Sequence, residues 1–124
     1  MASISNIKLS ATKQTGGGNN WKLTVTYDAI FSPFEIANFT YRDGFEVWEQ
    51  DDWPNPDDHL TGVVGVSSFN PTASPTRRTM THIISGSTLD TEWFGEELYV
   101  IVRLRNLDLN LLVTRTSSNL HLNP

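Results

Sequence analysis

Five carboxylates fall within ten consecutive positions of this chain: Glu49, Asp51, Asp52, Asp57 and Asp58, in the run Glu49-Gln50-Asp51-Asp52-Trp53-Pro54-Asn55-Pro56-Asp57-Asp58-His59-Leu60-Thr61-Gly62. Acids crowded on one connection repel one another, and a hard cation cancels that repulsion. Calcium takes about six to eight oxygen ligands and is the cofactor such a run could hold. Asp, Asn and Pro are also ordinary turn formers, and exposed acids keep a loop solvated. The run accommodates both readings.

Acid–base and nucleophilic catalysis need groups held within hydrogen-bond reach of one another, and no motif in the sequence guarantees that. His59, His82 and His121 show neither His-x-His nor His-Glu-x-x-His spacing, and there is no Gly-x-Ser-x-Gly and no P-loop. Gly16-Gly17-Gly18 lacks the Lys-Ser/Thr and following helix of a phosphate cradle and reads as a hairpin loop. Glu96 and Glu97 are adjacent, so on a strand they face opposite ways and do not cooperate on one substrate. The expectation is a non-catalytic domain with no catalytic residues.

Aromatic side chains supply a different chemistry. Trp48 is out of phase with Phe45 and Val47, and Trp53 lies inside the acidic run, so both are candidates for a binding surface. Tyr99 and Ile101 oppose Leu98, Val100 and Val102, which makes that segment apolar on both faces. Such a strand is either covered by a loop or contributes to an assembly interface.

The elements that must position these residues are strands. Trp21, Leu23, Val25 and Tyr27 alternate with Lys22, Thr24, Thr26 and Asp28, and Leu98, Val100, Val102 and Leu104 alternate in the same way. Ile7, Leu9 and Ala11 give a weaker version. Phe39–Tyr41 running into Phe45–Glu49, Thr61–Val66, Arg77–Ile84 and Leu109–Thr116 are rich in β-branched and aromatic residues. Breakers separate these runs: the triple glycine, Ser32-Pro33, Asp43-Gly44, the two prolines near position 55, Asn70–Thr76 and Ser85-Gly86. No segment carries a sustained helical stripe, and Leu89–Glu97 reads as a short turn or a single helical turn. The pattern predicts an all-β fold: an antiparallel β-sandwich of about seven strands, forming one domain over residues 1–124.

The segment Glu97-Leu98-Tyr99-Val100-Ile101-Val102, within this layout, resembles the sixth strand of the immunoglobulin and fibronectin type III superfamily, with Tyr99 as its corner tyrosine. That resemblance implies an immunoglobulin-like sandwich and implies nothing about ligands. The acidic run is locally similar to a calcium loop of C2 domains. It implies Asp51, Asp52, Asp57 and Asp58 as ligands with Glu49 adjacent, and a further loop would add ligands for which Asp28 and Asp43 are the candidates.

The totals narrow the partners. With 124 residues, a net charge of -5 and nine Lys and Arg scattered along the chain, phosphate-backbone binding is disfavoured, so nucleic acid is not an expected partner. The acidic balance also argues against recruitment to an anionic membrane. A protein partner or self-association is expected. There is no cysteine, no signal-like leader and no apolar run of membrane-spanning length, which favours a cytoplasmic location.

Overall fold

Hydrophobic alternation becomes strand after strand. In chain order the elements are β1 (Ser3–Lys13), β2 (Asn20–Ile30), α1 (Pro33–Asn38), β3 (Tyr41–Glu49), β4 (Asp58–His59), β5 (Val64–Phe69), β6 (Thr76–Ser85), α2 (Gly86–Leu89), β7 (Glu96–Asn106), β8 (Leu111–Thr116) and β9 (Leu120–Leu122). The structure is a computed structural model that describes residues 1–15, 20–51, 56–89 and 96–122. Trp53 and Asp52 lie outside the described residues, as do the glycines at 16–18 and most of the predicted turn at 89–97. None of the helices among the described residues is long and apolar enough to cross a membrane.

The chain is all-β, with two antiparallel sheets. One has the order β1-β2-β6, and the other β4-β3-β7-β8, with β5 also pairing β3 and β9 also pairing β7. Leu23, Val25, Tyr27 and Ala29 of the first sheet share one buried cluster with Phe45, Val47, Leu98, Val100, Val102 and Leu104 of the second, and each is at most 1% exposed. Burying one such Val or Leu stabilises by roughly 1.5–3 kcal/mol, so this shared face determines which side of β2, β3 and β7 points inward.

Two of the predicted breakers behave differently. Ser32-Pro33 begins a helix: the Ser32 hydroxyl accepts from the Glu35 N–H at 3.2 Å, the Glu35 carboxylate accepts from the Ser32 N–H at 2.9 Å, and Pro33 fills the first helical turn. This capping box opens α1, and the spacing Ser-x-x-Glu was its signal in the sequence. Asp43-Gly44 is no turn, because β3 runs through it without a break. Asp43 is buried, its carboxylate held by Tyr27 at 2.8 Å and Arg78 at 2.8 Å, which removes the solvent that would otherwise draw an aspartate into a turn. Gly44 leaves room for Val63 and Val66, whose methyl carbons would lie 2.8 and 3.1 Å from any Cβ built there. The strands β4 and β9 are two and three residues long, and sequence alternation cannot register elements so short.

Candidate functional site

β3 positions both groups of candidate residues. Its alternation turns Tyr41, Asp43, Phe45, Val47 and Glu49 inward and Glu46 and Trp48 outward. Glu49 ends the strand fully buried, directly across from Asp58 of β4 on one side and Leu98 of β7 on the other. Two backbone bonds fasten the rim: the Gln50 N–H donates to the Glu97 carbonyl at 2.8 Å, and the Leu60 N–H to the Val47 carbonyl at 2.9 Å. The Thr61 hydroxyl oxygen also accepts from the Val47 N–H at 3.1 Å.

Three of the five predicted ligands come together there. One carboxylate oxygen each from Glu49, Asp51 and Asp58 lies within 4.8 Å of the others, with Glu49 buried, Asp51 half-buried and Asp58 exposed. Two oxygens on opposite sides of a calcium ion, each at about 2.4 Å, are separated by about 4.8 Å, so the spread suits that ion. Asp57 is directed elsewhere. It accepts from the Tyr99 hydroxyl at 2.7 Å and from the Asp51 N–H at 3.2 Å. The candidates from a further loop are also engaged: the Arg77 guanidinium contacts Asp28 at 3.1 Å, and Arg78 holds Asp43. Neither adds a ligand. Asp43 is moreover six residues up the strand from Glu49, about 20 Å at 3.3 Å per residue.

The outward side of the same strands carries the aromatic candidates. Trp48 and Tyr99 are directly paired across β3 and β7, and Glu46 is paired with Ile101 one step along. The indole of Trp48 stacks on the His59 ring at 4.4 Å and lies parallel to the Tyr99 ring at 6.3 Å. This row makes Trp48 half-buried rather than freely exposed, as Tyr99 and Ile101 also are. The indole N–H is covered and finds no acceptor among the described residues, an arrangement that costs about 1–3 kcal/mol. Burial, and then the adjacent Asp57 carboxylate, push the Tyr99 hydroxyl up to about 12, so at neutral pH it remains a donor to that acid.

The histidines are placed on three different strands. His59 pairs with Glu46 at 3.1 Å, His121 with Glu97 at 2.8 Å, and His82 stands across from Leu23 in the other sheet. Among the described residues, neither His59 nor His121 bonds a hydroxyl that could act as a nucleophile. No family model and no curated protein matches this chain.

Proposed function

We propose that this chain is a non-catalytic, immunoglobulin-like β-sandwich that acts as a module for protein interaction or structural assembly. The sheet orders support the fold: with β1, β2 and β6 on one side and β4, β3, β7 and β8 on the other, the strands follow the A-B-E and C′-C-F-G arrangement of that family. The observation that carries the function is the outward face of the larger sheet. Trp48, Tyr99 and Ile101 lie side by side on it, while α1 is anchored at Tyr41 and α2 beside β6. Half-buried aromatic and aliphatic groups in a row suit a surface completed by another protein.

Light scattering coupled to size exclusion tests this reading. The wild-type chain is expected to self-associate at high micromolar concentration, and Ile101→Lys to elute as a monomer, because an ammonium at the centre of the contact must be desolvated. A variant that assembles like the wild type would show that this face is not the interface.

A second reading rests on the convergence of Glu49, Asp51 and Asp58: a calcium-dependent binding domain whose acidic rim takes the ion before a ligand. Three carboxylates supply part of the coordination that calcium requires. Calcium at about twenty times its dissociation constant stabilises by roughly 1.8 kcal/mol, which for a chain of this size raises the melting temperature by about 5–9 °C. Calorimetric titration of chelator-treated protein should show heat, and Asp58→Asn should abolish both signals. A strict monomer with this calcium response favours the second reading over the first.

A further inference from the structure

The pairing of β3 with β7 collects cations that are far apart in sequence. Arg42 is directly across from Arg105, and Gly44 from Arg103. The scattered cations expected from the sequence are therefore corrected: three of the chain's nine Lys and Arg line one concavity of about 260 Å³ on the outward face of the larger sheet. Gly44 is on its floor, Val63 and Val66 form one wall, and Leu112 stands on the other. These walls are exposed by 45%, 51% and 36%, which is unusual for aliphatic side chains flanking arginines.

Like charges directly opposite on a sheet destabilise it, and nothing within the described residues relieves this pair. The Arg42 Nε donates to the Ser68 hydroxyl at 3.3 Å and the Arg105 Nη1 to the Asn110 side-chain oxygen at 2.8 Å, both neutral acceptors. Neither forms an ion pair among the described residues. Arg103 has only a share of Glu46, at 3.6 Å, and His59 holds the same carboxylate at 3.1 Å. A net-acidic chain thus keeps two arginines without ion pairs among the described residues in one apolar-walled groove.

We propose that this groove docks an extended acidic peptide segment of a partner protein, its alternate carboxylates on Arg42 and Arg105 and the methylene stems of those acids between Val63, Val66 and Leu112. Guanidinium forks match carboxylates in two-bond geometry. An extended strand turns every second side chain to one face, so carboxylates two residues apart reach this floor together. The proposal rests on the reading of this sheet face as a docking surface and assigns the partner's chemistry at its arginine end.

The probe is a fluorescein-labelled hexapeptide of alternating Glu and Val, followed by fluorescence polarisation against the full chain. Its binding should weaken by about tenfold or more in the Arg42→Gln/Arg105→Gln variant and by a similar factor between low and high salt. The melting temperature of that variant should not fall, because the substitutions remove a repulsion. Equal binding by the variant, or by a peptide with Gln for Glu, overturns the proposal. Tighter binding of a single-stranded RNA oligonucleotide overturns it in favour of a phosphate ligand, and assembly lost in the double variant overturns it in favour of a second copy. If the peptide does not bind while assembly remains sensitive to Ile101→Lys, this proposal fails and the docking face stands.

Discussion

Arg78→Met is expected to destabilise the chain by about 3–5 kcal/mol, because it leaves the carboxylate of Asp43 buried without its cation. The Asp43 side chain is fully buried and that of Arg78 is 20% exposed. The guanidinium contacts both carboxylate oxygens, at 2.8 and 3.3 Å, and also the Ser67 hydroxyl at 2.8 Å, while its plane lies 3.8 Å over the Phe69 ring. Asp43 belongs to one sheet and Arg78 to the other, so the pair joins the two sheets. Melting followed by circular dichroism should show a fall of roughly 10–20 °C. Arg78→Lys, which keeps the charge but not the fork, should fall between wild type and Met. The triple variant Tyr27→Phe/Asp43→Leu/Arg78→Met should recover most of the loss, since it replaces the charge pair by apolar groups and also removes the hydroxyl that donates to Asp43. No recovery in that cycle would mean that packing on Phe69, rather than the ion pair, carries the effect.

Tyr27 extends the same network. Burial, and then the neighbouring Asp43 carboxylate, raise its hydroxyl above the usual phenol range, and it donates to Asp43 at 2.8 Å. A group that holds its proton more tightly folded than unfolded contributes stability below the unfolded value near 10 and loses it as the pH rises further. The wild-type melting temperature should therefore decline above about pH 10 more steeply than that of Tyr27→Phe, which has no proton to lose.

Gly65→Ala is expected to cost roughly 2–4 kcal/mol, from two additive causes. The residue has φ +64°, where a Cβ strains the backbone. That Cβ would also stand 2.7 Å from the ring of Phe45, which is fully buried, and 3.2 Å from the Thr81 carbonyl. Neither neighbour can yield cheaply, because one is core and the other is backbone of the facing sheet. Gly62→Ala is the control: nothing lies within 4 Å of its Cβ position, so its effect should stay within about 0.5 kcal/mol. Urea titration of the two variants separates a local strain from a general sensitivity of this region to side chains. Equal midpoints would contradict the steric account.

Apolar periodicity was enough to establish the all-β class, the inward faces of β2 and β7 and the outward placement of Trp48, Tyr99 and Ile101. These follow from a two-residue repeat that any half-buried strand must obey, whatever it pairs with. The acidic run was equally visible as a run. Which of its acids meet was decided by pairing: Asp58 is brought to Glu49 by the short β4 ladder, while Tyr99 draws Asp57 away. Asp43 read as a turn former because its partners, Tyr27 and Arg78, are 16 and 35 residues distant and belong to another sheet. The arginine groove was invisible for the same reason, since Arg42 and Arg105 become neighbours only through the register of β3 on β7. Local sequence determined which face each side chain takes. The register and the packing of two sheets, set by the shared core over long separations, decided which charges meet.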